Sequence, residues 1–244
     1  MLEEFIERDD EVIRIFRYKP ETSVFFQTAK QEVAVLDTTL FGRTLFLDGI
    51  LQSSEKDEEI YHRMLVHPIL GTDNDVPKDI LIIGGGEGAT LREVLKWNDV
   101  RSVTMIDWDE ELVSYFREKE PTWHRGAFED PRVKLEFCDI FEAIKEKRQY
   151  DRIYVDLVDP DLKDQQWRTL FKRLVEWLKP SGAMNINAGG VFPWDEGDVP
   201  EIECILKESM EGEGKSKETY QLSRLKKFVP SFGREWAFVL LKKL

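Results

Sequence analysis

A glycine-rich turn that follows an apolar strand constrains the fold of this chain more than any other feature. Ile80 to Ile83 are consecutive apolar residues that run into Gly84-Gly85-Gly86-Glu87-Gly88-Ala89 and then into a helical pattern. Glycine permits a sharp turn and brings no Cβ that would keep a ligand from the backbone. Ligands of open α/β sheets bind at such carboxyl ends of strands. The pattern predicts a nucleotide-type site with Gly84 and Gly86 against the ligand. Dinucleotide, flavin and S-adenosylmethionine sites share this pattern, and a tight turn without a ligand is the alternative.

Two patterns divide the chain into parts. Up to about Gly71, short alternating runs such as Val12 to Phe16 are separated by turn signals, which predicts a small antiparallel sheet followed by a helix. From Lys78 onwards, apolar strands alternate with helical stretches, which is typical of a parallel sheet with crossover helices. We predict an α/β fold with an N-terminal β-sheet domain plus connecting helix over residues 1–71 and a Rossmann-like domain over residues 72–244. The strands predicted for the second domain are Ile80 to Ile83, Val103 to Ile106, Val133 to Phe137, Ile153 to Val155, Ala183 to Ile186, Tyr220 to Val229 and Glu235 to Leu241.

Composition argues against several classes of partner. The chain has 244 residues, and 35 Lys and Arg against 48 Asp and Glu give a formal net charge of −13. This balance argues against nucleic acid as a partner and suits cationic small molecules, or solubility alone. Two cysteines, an N-terminus unlike a signal peptide and the lack of a bilayer-length apolar run predict a cytoplasmic protein without a membrane partner. No pair of the three histidines falls with carboxylates into a metal-ligand pattern, so we expect no metal site.

Carboxylates follow the next three predicted strands. Asp107 ends the second strand, where it can accept both hydroxyls of a ribose, and Asp139 follows the third, where it can accept from an adenine amino group. A solvated carboxylate is the alternative for each, but ligand-type residues at successive strand ends favour a nucleoside.

The fourth strand ends in Asp156-Leu157-Val158-Asp159-Pro160. Asp156 and Asp159 can hold an amine and remove a proton from it, which an alkylammonium requires before it attacks carbon. An Asx-turn before the proline is the alternative.

Together with two upstream motifs, these residues resemble the spermidine/spermine synthase family of polyamine aminopropyltransferases. The upstream motifs are Leu47-Asp48-Gly49-Ile50-Leu51-Gln52 and Asp57-Glu58-Glu59-Ile60-Tyr61-His62. The family series is roughly LDG-x-x-Q, DE-x-x-YHE, GGGDGG, an acidic residue after the second strand, D-G/A after the third and D-S-S-D-P after the fourth. Order and spacing match across most of the chain. The resemblance implies a Rossmann-like domain of the S-adenosylmethionine-methyltransferase type behind a small N-terminal antiparallel β domain.

The resemblance also implies an enzyme that moves the aminopropyl group of decarboxylated S-adenosylmethionine to a polyamine acceptor, putrescine or spermidine, and releases methylthioadenosine. Asp156 would be the catalytic base, and Tyr61, Asp159 and Phe232 would help it to hold the acceptor. The residues expected to bind the nucleotide are Gln31, His62, Gly84, Gly86, Glu87, Asp107, Asp139 and Ile140. The donor is a co-substrate, so no prosthetic group is implied, and the family suggests a homodimer.

Glu87 stands where the family usually has aspartate. A carboxylate at this position attracts the ammonium of the aminopropyl group and repels the carboxylate of intact S-adenosylmethionine. Glutamate is one methylene longer than aspartate, so the same role fits with the donor chain slightly shifted. This charge would let the protein select the decarboxylated donor.

Five positions near the acceptor depart from the family pattern. The family has glutamate, serine, serine, glutamine and tyrosine where this chain has Arg63, Leu157, Val158, Asn187 and Phe232. These departures leave open which amine is the acceptor. They motivate one alternative function, a catalytically silent relative that binds a nucleoside. A second alternative is an S-adenosylmethionine-dependent methyltransferase, against which Glu87 and the carboxylates after the fourth strand argue.

Overall fold

A five-stranded antiparallel sheet forms the N-terminal part of the computed structural model, which describes residues 1–8, 12–71, 77–157, 165–211 and 219–244. Its strands pair in chain order: β1 (Glu3–Arg8), β2 (Ile13–Gln27), β3 (Glu32–Thr38), β4 (Gly42–Leu47) and β5 (Ile50–Ser54). Asp48 and Gly49 join β4 to β5 with φ of 49° and 81°, as a two-residue hairpin of this kind requires. The predicted antiparallel sheet is therefore confirmed.

Strand β2 is three times as long as the apolar run that predicted it. The pattern predicted Val12 to Phe16, because Pro20 and its polar neighbours interrupt the alternation. The pairing with β3 shifts register between Lys19 and Val24. Such an irregularity absorbs residues that break the ladder, so the strand continues past the proline.

A seven-stranded mixed sheet forms the rest of the described structure, in the order β11-β12-β10-β9-β6-β7-β8. Strands β6 to β10 run parallel, and β12 is antiparallel to both of its neighbours. The strands are β6 (Asp79–Gly84), β7 (Ser102–Asp107), β8 (Val133–Phe137), β9 (Tyr150–Asp156), β10 (Leu178–Val191), β11 (Tyr220–Val229) and β12 (Arg234–Lys243). Each strand predicted for the second domain lies within one of them, so the Rossmann-like fold is confirmed.

The continuous apolar run of β6 reflects burial of both faces of the sheet. Leu81 and Ile83 pack into the core on one face, and Ile80 and Ile82 pack into the core on the other. A strand with helices on both sides has no solvent face and needs no alternation. The helices are α1 (Glu58–Leu70), α2 (Ala89–Leu95), α3 (Glu110–Lys119), α4 (Pro121–His124), α5 (Ile140–Ala143), α6 (Gln165–Trp177) and α7 (Val199–Glu211). None of these helices is long and apolar enough to cross a bilayer.

One hydrophobic core joins the two sheets through α1. It contains Phe46 of the N-terminal sheet, Leu65 and Leu70 of α1, and Ile80 and Ile82 of β6. The helix therefore packs between the sheets and positions its side chains toward both. The division of the chain at residue 71 stays a prediction, because residues 72–76 lie outside the described ranges.

A proline inside α1 is compensated by a side chain from the sheet. Pro68 has no N–H to donate to the carbonyl of Met64, one turn earlier. Asn185 of β10 donates from Nδ2 to the carbonyl oxygens of Met64 at 3.1 Å and Leu65 at 2.6 Å. These bonds satisfy the carbonyl that the proline leaves open and fix α1 on the sheet.

We expect Gly84→Ala to destabilise the fold far more than Gly126→Ala. Both glycines have positive φ, 79° and 84°, so each substitution costs about 1 to 2 kcal/mol for the left-handed backbone alone. A Cβ at Gly84 would lie 2.1 Å from the backbone oxygen of Asp156, whereas a Cβ at Gly126 has nothing within 4 Å. In urea unfolding, Gly84→Ala should lower the free energy of unfolding at least about twice as much as Gly126→Ala does. Equal losses would contradict the close approach of β6 and β9.

Candidate active site

Several predicted site residues meet at one edge of the seven-stranded sheet, where the parallel strands end. Register places Gly84 of β6 opposite Asp156 of β9, and Asp107 ends the neighbouring β7. The glycine turn leaves β6 with positive φ at Gly84 and Gly85, and α2 begins at Ala89. The topology therefore brings together residues that are far apart in the chain.

Asp156 is held by one hydroxyl on each carboxylate oxygen. Tyr61 of α1 donates to Oδ1 at 2.7 Å, and Thr90 of α2 donates to Oδ2 at 2.5 Å. Burial, followed by the nearby charge of Glu87, raises the pKa of Asp156, while His62 and the two hydroxyls oppose this rise. Each oxygen keeps a lone pair beyond its hydroxyl, so the carboxylate can still accept a proton.

His62 lies buried between two glutamates. Its Nδ1 is 2.9 Å from Oε2 and 2.7 Å from the backbone oxygen of Glu58, and its Nε2 is 2.8 Å from Oε1 of Glu87. Burial alone would lower the pKa of His62, but the hydrogen bonds with Glu58 and Glu87 outweigh it and raise the pKa to about 10. Both ring nitrogens are engaged within the protein, so this geometry favours a role for His62 in supporting Glu87. Contact between His62 and a nucleotide stays a prediction.

His62, Glu87 and Asp156 offer ligand atoms within 4.8 Å of one another, so a shared metal ion has to be considered. A metal needs a lone pair on the imidazole, and Nε2 of His62 already contacts Oε1 of Glu87 at 2.8 Å. The absence of a metal site stays a prediction. The same oxygens suit an ammonium, which donates hydrogen bonds to carboxylates.

Asp107 and Gln31 are connected through Asp109. The backbone N–H of Asp109 donates to Oδ1 of Asp107 at 2.9 Å. Gln31 and Thr28, at the tip of the hairpin between β2 and β3, donate to Oδ2 of Asp109 at 2.9 Å and 2.7 Å. The N-terminal sheet thus reaches the end of β7, and the carboxamide oxygen of Gln31 has no hydrogen bond to the part of the chain that the structure describes. Asp107 lies against the glycine turn, where a Cβ at Gly86 would be 3.1 Å from its Oδ2.

Asp139 and Ile140 lie at the end of the neighbouring strand, β8. Asp139 is exposed and caps α5 by accepting from the backbone N–H of Phe141 at 2.8 Å. Ile140 is buried and packs into the core beside α6. The exposed carboxylate remains accessible to a ligand, whereas contact of Ile140 with a ligand stays a prediction.

Phe232 lies in the turn between β11 and β12 and forms a wall beside Tyr61. Its ring centroid is 6.1 Å from that of Tyr61 and 4.3 Å from that of Trp236. The turn is held at two points: Asp57 accepts from the backbone N–H of Ser231 at 2.6 Å, and Arg14 donates to the carbonyl of Phe232. The wall is therefore aromatic and fixed in place by residues from both ends of the chain.

The other departures from the family pattern also have definite positions. Asn187 donates to the carbonyl of Leu157 and accepts from Nε1 of Trp236, both at 2.7 Å, so it links Trp236 to the end of β9. The side chain of Leu157 packs against Gly84. Arg63 is exposed on α1 and pairs with Glu59. Val158 and Asp159 lie outside the described residues.

Four residues to which the sequence analysis gave no role take part in these contacts: Glu58, Thr90, Arg92 and Asp109. A local signal existed for Asp109, which directly precedes the acidic first turn of α3 and caps that helix. Thr90 follows the glycine turn by two residues and carried no such signal. Its contact with Asp156 depends on the pairing of β6 with β9.

The fold and this edge define a Rossmann-like protein with several carboxylates at the carboxyl ends of its parallel strands. The model of the spermine/spermidine synthase domain matches residues 58–242, so the chain belongs to that family, as the motifs indicated. The polyamine aminopropyltransferase of Pyrobaculum calidifontis is 38% identical over 218 residues, which are 86% of this chain and 72% of that protein. Polyamine aminopropyltransferase 1 of Hyperthermus butylicus is 52% identical over 134 residues, 53% of this chain and 46% of that protein.

The share of the matched protein that this chain covers is smaller for some relatives than for the solved structures. The chain spans about half the length of some relatives it matches, 46% for Hyperthermus butylicus and 51% for Saccharolobus solfataricus. The spermidine synthase from Thermotoga maritima has a TM-score of 0.80 at 22% identity, covering 98% of this chain and 79% of that one. A spermidine synthase bound to the transition-state analogue AdoDATO gives 0.83 at 24% identity, covering 98% and 80%. These two likenesses establish the shared fold.

We expect Asp107→Asn to stabilise the protein at pH 8. Burial, with the charges of Asp109 and Glu87 also contributing, raises the pKa of Asp107 to about 7 from an ordinary value of 3.8. The ionised carboxylate is therefore disfavoured in the folded state, and the cost grows as pH rises from about 4 to 7. Removal of this charge should add roughly 1 to 4 kcal/mol to the free energy of unfolding at pH 8.

Urea unfolding between pH 4 and pH 8 measures this gain, which should shrink as pH falls. Asp139→Asn is the matched control, because Asp139 is exposed and asparagine caps a helix equally well. A loss of stability in Asp107→Asn at pH 8, or a gain independent of pH, would contradict the burial of an ionised Asp107.

Proposed function

We propose that this chain is a polyamine aminopropyltransferase, which transfers the aminopropyl group of decarboxylated S-adenosylmethionine to an amine and releases methylthioadenosine. One observation carries the proposal: the carboxylates of Asp156 and Glu87 face a common space beside the glycine turn, with His62 as the partner cation. Both the donor's aminopropyl group and the acceptor carry ammonium groups. An acidic pocket beside a nucleoside-type edge suits these two cations.

The donor fits the edge with its nucleoside over the glycine turn. Asp107 would accept from the ribose with the oxygen that Asp109 leaves open, and the exposed carboxylate of Asp139 would accept from the adenine. Oε1 of Glu87 is engaged by His62, and Oε2 has no hydrogen-bond partner among the described residues. That oxygen can bind the ammonium of the aminopropyl group, and its charge disfavours the carboxylate of intact S-adenosylmethionine.

The reaction is an in-line displacement with Asp156 as the base. The acceptor's ammonium loses one proton to Asp156, and the nitrogen lone pair attacks the propyl carbon next to the sulfonium. The carbon–nitrogen bond forms as the carbon–sulfur bond breaks. The electron pair of the broken carbon–sulfur bond stays on the sulfur, which becomes the neutral sulfur of methylthioadenosine. Burial beside Glu87 raises the pKa of Asp156, which strengthens it as a base. Tyr61 and Thr90 fix the direction of the carboxylate.

The acceptor's carbon chain would pass along Phe232, Trp236 and Leu157. Phe232 and Leu157 lack the hydroxyls that the family usually has at these positions, so this wall offers apolar contact and ring faces. Alkyl segments and ammonium groups both pack favourably on aromatic rings. The wall therefore supports an amine with a flexible hydrocarbon chain as the acceptor.

The experiment that tests the proposal is turnover of decarboxylated S-adenosylmethionine with a panel of diamines and triamines that includes putrescine, agmatine and spermidine. We expect release of methylthioadenosine together with a product heavier by one aminopropyl unit. Intact S-adenosylmethionine serves as the competing donor. A methylated amine formed from it would instead favour a methyltransferase, and binding without turnover across the panel would favour a catalytically silent relative.

Asp156→Asn should lower kcat at least about 100-fold, because the asparagine keeps the hydrogen bond from Tyr61 but cannot take the proton. Binding of methylthioadenosine, measured by calorimetry, should stay within a few-fold of the wild-type value. Asp151→Asn is the control, since Asp151 lies on the same strand but at the opposite end, where it accepts from the backbone N–H of Asp79. Full activity in Asp156→Asn would rule out the proposed base.

The N-terminal sheet also supports a proposal of homodimer formation. Ile6, Ile13 and Ile15 lie on one face of β1 and β2 with 45%, 61% and 59% of their surface exposed, and Ile6 pairs directly with Ile15. A contiguous apolar face of this kind is typical of an interface between identical copies. Light scattering should report a dimer that Ile15→Glu dissociates and Leu40→Glu, at an exposed turn, does not. A wild-type monomer would exclude the proposal.

A further inference from the structure

A chain of buried charged side chains extends from Glu87 into the protein. His62 connects Glu87 to Glu58, as described above. Arg92 of α2 then binds both oxygens of Glu58 at 2.9 Å, and it also donates to Oε1 of Glu93 at 2.9 Å and to the carbonyl of Trp123. Glu58, His62, Arg92 and Glu93 are all buried. Burial of four charged side chains costs free energy of folding unless each charge is paired. Their position directly behind the site therefore calls for a functional explanation.

The partners of His62 fix where its protons lie. The backbone oxygen of Glu58 can only accept, so Nδ1 carries a proton. If Nε2 carried none, its lone pair would face Oε1 of Glu87 at 2.8 Å, and the contact would be repulsive. A carboxylate at Glu87 therefore requires an imidazolium at His62. The side chain of Glu58 supplies the second negative charge that stabilises this cation.

We propose that Glu58 and Arg92 are positioning residues of the active site, which hold His62 as an imidazolium that fixes Glu87 opposite Asp156. The bidentate contact from Arg92 fixes the carboxylate of Glu58 against Nδ1 of His62. The imidazolium in turn lets two carboxylates, Glu87 and Asp156, share one pocket. This proposal deepens the proposed function and rests on it for its kinetic test.

Charged and hydroxyl groups of several elements surround these buried side chains. Burial alone would raise the pKa of Glu58, but hydrogen bonds from His62 and Arg92 lower it to about 2, which agrees with a permanently ionised partner. Glu93 is in turn bound by His67 and Lys96. Within the described ranges, the groups that face Asp156 are Glu87 from the glycine turn, His62 and Tyr61 from α1, and Thr90 from α2.

The kinetic test compares the pH dependence of kcat/KM for the decarboxylated donor in wild type and Glu58→Gln. Glutamine can still accept from Nδ1–H but carries no charge, so the imidazolium of His62 keeps only Glu87 as a charged partner and its pKa falls. The basic limb of the profile, where His62 loses its proton, should then move downward by about one pH unit or more. Activity on that limb should fall about ten-fold or more, with recovery toward the wild-type value at lower pH.

Two further variants define the comparison. Glu59→Gln removes the neighbouring charge on the same helix, where Glu59 is exposed and pairs with Arg63, and it should leave the profile unchanged. Arg92→Lys keeps the charge but loses the bidentate contact, so it should shift the limb in the same direction as Glu58→Gln. A uniform loss of activity in Glu58→Gln, with the limb unmoved, would show a structural role alone and overturn the proposal.

A second measurement needs no turnover, and it uses a variant only to assign the signals. The chain has three histidines, so nitrogen NMR of the wild-type imidazoles can be assigned with His62→Gln. Both nitrogens of His62 should remain protonated up to about pH 9, because the hydrogen bonds with Glu58 and Glu87 raise its pKa to about 10. A neutral His62 imidazole at pH 7 would overturn the proposal. If wild type shows no aminopropyl transfer but His62 is an imidazolium, only the proposed function fails.

Discussion

Negative charge confined to one buried sheet edge is the constraint on which the rest of this structure depends. Glu58, Glu87, Asp107 and Asp156 lie close together there, and His62 and Arg92 are the cations that contact them directly among the described residues. Buried carboxylates destabilise a fold unless they are paired or hydrogen-bonded. The hydroxyls of Tyr61 and Thr90 and the backbone N–H of Asp109 supply the remaining bonds. A cationic ligand, as in the proposed function, would offset this concentration of negative charge.

The N-terminal sheet completes this edge from a different part of the chain. The hairpin tip at Thr28 to Gln31 binds Asp109, and the backbone of Asp109 binds Asp107. On the side proposed for the acceptor, Arg14, which is paired with buried Glu7, binds the carbonyl of Phe232. The antiparallel sheet is therefore part of the proposed ligand site, in addition to carrying the face proposed for dimer contact.

Local patterns predicted the elements of this fold, whereas the site's supporting contacts depend on topology. The run Ile80 to Ile83 and the glycine turn predicted β6 and its exit, because burial on both faces and positive φ act on neighbouring residues. Asp107 and Asp156 could be placed because parallel strands end at one edge. The sequence could not predict that His62 bridges two glutamates or that Thr90 binds Asp156, since these contacts join residues 25 and 66 positions apart. The length of β2 was underestimated because a register shift accommodates Pro20.

The turn that holds Phe232 has a consequence for how the protein matures. Ser231 and Asp57, which fix this turn on α1, are 174 positions apart, and Tyr61 and Asp156 are 95 apart. Contacts of such long range form late, because the loop between them must close first. The aromatic wall beside Tyr61 is therefore expected to form after most of the strand pairing. Affinity for a ligand of the proposed site would then report that the turn between β11 and β12 has packed against α1.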